Sequence, residues 1–140
     1  MLDMKNPTLY IVWNNKTNIG VPIIDEQHRG IIATLNSLHY FIQQGRGLEA
    51  LQPTLQIMSK YIGFHLKTEE MILGECNYPH ADENLARQKK IFNDFNKVAR
   101  NATASKDPEL LLRFIKNWWL SHINEEHKAY SQYLKGDFTQ

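Results

Sequence analysis

Apolar residues recur at steps of three and four in four stretches of this chain, the signature of helices that bury one face. The first stretch carries Ile24, His28, Ile31, Ile32, Leu35, Leu38 and Ile42 on one stripe. It predicts a helix from Pro22 to about Gln44, stopped by Gly45 and Gly47. The second, from about Leu48 to Leu73, aligns Leu51, Leu55, Met58, Ile62 and Ile72. Pro53 argues for a start closer to Gln52, because proline is tolerated mainly in a first turn. A turn over Gly74 to Pro79 leads to a third helix from about Asp82 to Ala104, with Leu85, Phe92, Phe95 and Ala99 inward and the stripe interrupted by Asn84 and Gln88. Asp107 and Pro108 form an N-cap and N1 pair that opens a fourth, reaching about Leu134 through Leu111, Ile115, Trp118, His122 and Ala129. Residues 1–21, broken by Pro7, Asn14, Asn15, Asn18 and Gly20, read as an irregular arm whose Tyr10, Ile11, Val12 and Trp13 pack across the helices. The expected fold is all-α: a single domain over 1–140, an antiparallel up-down-up-down four-helix bundle with helices near 22–44, 48–73, 82–104 and 108–134.

Composition narrows the class. With 140 residues, 42% hydrophobic and a formal net charge of +1, the chain can bury a full core and carries no basic block suited to nucleic acid. No apolar run approaches a membrane span, and the first residues lack the pattern of a signal peptide. A lone cysteine, Cys76, excludes an internal disulfide. These features together predict a cytoplasmic protein, with Cys76 an incidental, partly exposed thiol.

The inward polar residues change the picture. His65 and Glu69 lie one turn apart on the apolar stripe of the second helix, so both point into a core. A buried imidazole beside a buried carboxylate reads either as a hydrogen-bonded core pair or as half of a metal site. The other helices favour the metal. His28 comes early in the first, Asn84 and Gln88 early in the third, and His122 with Glu126 or His127 late in the fourth. In an up-down-up-down bundle all of these lie at one end and one depth, with no thiolate among them. That set suits iron, zinc or manganese. His39, on the first helix's stripe but three turns away, reads as a core or boundary residue, and His80 as a solvated turn residue. Trp118, Phe92, Phe95 and Tyr61 read as core packing that walls the site from water.

Trp13, IGVPIIDEQHRG (Ile19 to Gly30), FHLKTEEMIL (Phe64 to Leu73), Tyr78-Pro79 and WWLSHINEEHKAY (Trp118 to Tyr130) occur in the order and spacing of a known family. Over essentially its whole length the chain resembles the bacterial hemerythrins. That resemblance implies a four-helix bundle with a non-haem di-iron site that binds O2 reversibly, held by five histidines and two bridging carboxylates. His28, His65, Glu69 and His122 match family ligands. Three positions depart: Asn84 and Gln88 stand where the family has a histidine pair, and His127 stands where it has a bridging aspartate.

The departures fall on one side of the implied pair. One iron would keep only His122, while the other keeps His28, His65 and Glu69 and gains an imidazole from His127. The expectation is therefore a mononuclear site of His28, His65, His127 and Glu69, for iron(II) or zinc(II), with His122 as a partner beyond the ligands or a ligand to an occasional second ion. Glu126 is the alternative to His127, since it lies at i+4 from His122 whereas His127 is rotated by about 140°. The expected function is a metal-binding protein for O2, NO or a redox signal, not an enzyme. No serine or cysteine nucleophile with a positioned base stands among the inward residues. Peroxide-type O2 binding draws two electrons from two irons, so one metal predicts loss of the stable oxygenated form. The competing readings are a partner-binding scaffold whose site has decayed and, behind it, a small metal-dependent enzyme. The sequence names no protein partner.

Overall fold

A computed structural model describes residues 9–13, 18–122 and 133. Within them lie four α-helices: α1 (Pro22–Gln43), α2 (Gly47–Glu75), α3 (Ala81–Ser105) and α4 (Pro108–Ser121). His122 keeps right-handed helical angles (φ −60°, ψ −48°). The expected end of the fourth helix near Leu134, with Ala129, lies outside the described residues. Each helix packs on its chain neighbours and α4 closes back on α1, giving the four-helix bundle.

Local chemistry sets the boundaries. Pro22 opens α1, and the Asp25 carboxylate reaches back to accept the N–H groups of Ile19 (2.9 Å) and Gly20 (3.2 Å). Gly45 leaves α1 in the left-handed region at φ 73°, as Asn77 and Lys106 do after α2 and α3. Asp107 caps α4 by accepting the N–H of Glu109 at 3.1 Å. Two expectations are corrected here. Gly47 does not stop α1 but begins α2, where a Cβ would sit 2.9 Å from both Ile42 and Pro108, so glycine permits that close approach. Pro53 does not delay α2 to Gln52. It lies one turn further in, on the exposed face, where water can reach the Glu49 carbonyl that its missing N–H leaves over.

The main core joins Ile31, Leu35, Leu38, Leu51, Met58, Ile62, Phe95, Leu111 and Ile115, among others. A smaller apolar cluster of Val21, Ile24, Ile72, Leu73 and Tyr78 caps one end of the bundle. On α1, His28 falls between Ile24 of the cap and Ile31 of the main core. On α2, His65 and Glu69 fall between Ile62 and Ile72. The polar residues thus form a layer between two apolar ones.

The arm is pinned by one residue of α1. Asn36 Oδ1 accepts the N–H groups of Tyr10 (2.8 Å) and Ile11 (2.9 Å), and its Nδ2 donates to the Ile11 carbonyl at 2.8 Å. Tyr10 then lies against His39, and Trp13 against Trp119 under the Arg29 guanidinium. Val12, expected to pack inward, points to solvent at 62% exposure, while Tyr10, Ile11 and Trp13 on either side of it are half-buried. Tyr61 is likewise half outside, its ring laid over Gly30, where a Cβ would approach to 2.4 Å.

Candidate metal centre

Each of the four helices contributes buried polar side chains to the layer: His28 from α1, His65 and Glu69 from α2, Asn84 and Gln88 from α3, and His122 at the end of α4. Among the described residues, Thr54 is the only other buried polar side chain. The helical period explains the gathering, since His65 and Glu69, with Leu66, take the inward positions between Ile62 and Ile72.

The donor atoms meet at His65. Its Nε2 lies 3.1 Å from His28 Nε2, 2.8 Å from His122 Nε2 and 3.2 Å from Glu69 Oε2, while Glu69 Oε1 lies 3.4 Å from His122 Nε2. One imidazole nitrogen carries either one hydrogen or one lone pair, and neither can serve three neighbours. A cation at the common centre resolves the conflict, because every converging atom can then direct a lone pair at it. The spacing is compatible, as ligands about 2.1 Å from a metal sit about 3.0 Å apart at right angles. Three nitrogens and a carboxylate, all beyond the reach of water, form a donor set for iron(II), zinc(II) or manganese(II).

A hydrogen-bond chain assigns the tautomer of His65. Thr68 donates its hydroxyl hydrogen to the Phe64 carbonyl (2.8 Å) and accepts from Gln27 Nε2 (2.9 Å), which turns the Gln27 carbonyl oxygen toward His65 Nδ1 at 3.2 Å. Nδ1 therefore carries a hydrogen and Nε2 offers its lone pair to the cluster. Two tryptophans wall the layer: Trp118 stacks on His122 at 5.0 Å, and Trp119 presents its edge to His28 at 4.8 Å. In the apolar cap, burial pushes the Tyr78 phenol above its ordinary pKa.

Of the sequence-derived set, His28, His65, Glu69 and His122 come together. His122 stands inside the cluster, not beyond it. Its Nε2 makes the shortest approach to His65, because α4 enters the layer with Trp118 and His122 one turn apart on a single face. Asn84 and Gln88 share the layer at 1% and 3% exposure. Gln88 Nε2 donates to Glu69 Oε2 at 3.1 Å, so the stripe of α3 is continued by amides, not interrupted. His127 and Glu126 lie outside the described residues. His80 is exposed beside Glu83, and Cys76 is partly exposed, as expected.

Two residues that shape the site were not anticipated: Gln27 and Trp119. Each stands next to a residue of the inward stripe, so counting one stripe passes over it. A polar residue flanking a candidate ligand was the available signal for Gln27.

Comparison with known proteins agrees with this geometry. The family model of the hemerythrin HHE cation binding domain matches residues 19–134. A bacteriohemerythrin of Stenotrophomonas maltophilia is 31% identical over 135 residues, spanning 93% of this chain and 85% of the relative. Bacteriohemerythrins of Pseudomonas aeruginosa (23% identity, 86% of this chain and 79% of the relative) and Methylococcus capsulatus (26% identity, 84% and 89%) match similarly. With a four-helix bundle, three buried histidines that could hold a metal with the Glu69 carboxylate beside them, and a family match over most of its length, this chain belongs to the bacterial hemerythrins.

Proposed function

We propose that this protein is a non-haem iron protein of the cytoplasm that takes up a small diatomic ligand, O2 or NO, at a single metal held by His28, His65, His122 and Glu69. The observation that carries the reading is the meeting of three polar atoms on His65 Nε2, which hydrogen bonding alone does not satisfy.

One metal is favoured over two by the chemistry of α3. Where the family resemblance implies two imidazoles for a second iron, Asn84 and Gln88 offer neutral amides, which bind iron poorly. Gln88 also directs an N–H at Glu69 Oε2, the carboxylate that would have to bridge. Such a donor supports the charge of Glu69 without a second cation.

When bound, iron(II) supplies an electron-rich, Lewis-acidic centre for a small ligand. The residues do the rest. Gln27 and Thr68 hold His65 in the ligating tautomer. Trp118 and Trp119 fix the other two rings and exclude water, and the apolar cap seals the end of the bundle. Binding, not turnover, suits a layer with no serine or cysteine nucleophile among its described residues. No described helix is long and apolar enough to cross a membrane.

The test is a count of metals per chain after growth in iron-supplemented medium, with the visible spectrum recorded. About one iron without oxo-bridge charge-transfer bands is the expected result. Two irons with those bands would refute the single-metal site, and no metal at all would favour the scaffold.

A further inference from the structure

The metal layer is closed on three sides by bulky groups: Trp118 over His122, Trp119 against His28, and the cap around Tyr78. The fourth side differs. Between α2 and α3 runs a groove of about 430 Å³, walled by Gly63, Leu66, Leu85 and Phe92 and bounded by Gln88. Gln88 belongs to both spaces. It lines the groove, it is 3% exposed, and its Nε2 donates to Glu69 Oε2 at 3.1 Å, while its Oε1 has no hydrogen-bond partner.

Gly63 is the second observation. A glycine inside a helix weakens it relative to alanine, and close packing explains two others in this bundle. A Cβ would sit 2.4 Å from the Tyr61 ring at Gly30 and 2.9 Å from Ile42 and Pro108 at Gly47. At Gly63 a Cβ would meet only Phe92, at 3.5 Å and beyond, an ordinary contact. Packing does not require glycine there. What the missing side chain preserves is open groove two residues from His65.

We infer that the α2–α3 groove is the entry route by which a small uncharged molecule of the class of O2 and NO reaches the metal layer, with Gln88 as its inner wall. The inference rests on the function proposed above. Apolar walls suit a weakly hydrated guest. The Glu69 carboxylate behind Gln88 disfavours an anion, and Lys67, Glu70 and Lys89 give the rim mixed charge.

Two variants narrow the groove without touching a ligand: Gly63→Leu fills it, and Gly63→Ala adds one methyl that the geometry accommodates. Nitric oxide binding to the iron(II)-loaded protein, followed by stopped-flow absorption, is expected to slow about fivefold or more in Gly63→Leu and less in Gly63→Ala. Metals per chain should not change. A second readout needs no metal. Of the chain's three tryptophans, the buried Trp118 and Trp119 lie against His122 and His28, so quenching of their emission by dissolved O2 reports arrival at the layer. Trp13, on the half-exposed arm, adds a contribution that Gly63 variants leave constant. Quenching in the metal-free protein should fall in the same order. Unchanged association rate and unchanged quenching in a folded Gly63→Leu protein would overturn the route. If nitric oxide fails to bind while quenching still falls, the ligand-binding function is refuted and the route stands. Should Gly63→Leu not fold, Gly63→Ala and Leu85→Phe carry the same two measurements.

Discussion

The two halves of this bundle bury their residues for opposite reasons. In the main core, Leu35, Leu38, Met58, Ile62, Phe95 and Ile115 are almost wholly enclosed, and each gains by leaving water. One layer away, His28, His65, Glu69, Asn84, Gln88 and His122 are as deeply enclosed, and each loses hydration. The apolar half needs nothing beyond the chain. In the polar half, three polar atoms crowd around His65 Nε2, an arrangement that suits a cation held there, as proposed above.

The largest effect that would sharpen this contrast is metal-dependent stability. Unfolding followed with iron(II) or zinc(II) at a thousandfold over its Kd should show about 4 kcal/mol of stabilisation that a chelator reverses. His65→Ala should remove both the increment and the bound metal, and an equal increment in that variant would break the contrast. Next comes Met58→Ala in the dry half. It should cost about 2–5 kcal/mol whether or not metal is present, with metal content unchanged. Gln27→Leu should weaken metal affinity about 10–100-fold by releasing the His65 tautomer, measured by competition with a chelator, and Gln27→Glu should recover part of that loss because it restores an acceptor. Gln88→Ala is expected to have the smallest effect, below about 1 kcal/mol in metal affinity, since it removes one hydrogen bond to a ligand and no ligand. Equal losses from Gln88→Ala and His65→Ala would contradict the assignment of roles.

Elements with strong local chemistry were legible in the sequence. Pro22, Gly45, the Asp107-Pro108 pair and the stripes through Leu35 and Met58 place four helices to within a residue or two at nearly every described boundary. That His28, His65, Glu69 and His122 share one end of the bundle was legible, because helix direction alone predicts it, but the expected single-metal set had His127 where the cluster has His122. What escaped depends on contacts between helices. Gln27 matters only because α1 lies beside His65, and Trp119 only because α4 is wedged deeply enough to bury two successive faces. The spacing of α3 showed a break at Asn84 and Gln88. Only the packed layer shows that amides there continue its buried face.

The contact between Gly30 and Tyr61 works as a stop against sliding. Gly30 lies two residues beyond His28 and Tyr61 four residues before His65, so the ring seated on bare backbone is within about 6 Å, along the helix axes, of each histidine. Slipping α1 against α2 by one turn would drive that ring into a side chain at the neighbouring position. The alignment of the two imidazoles is therefore supported by a packing contact outside the polar layer, one the chain makes by itself. Tolerances at the centre can be tighter than its own weak contacts could enforce, and the metal need only find the histidines in place.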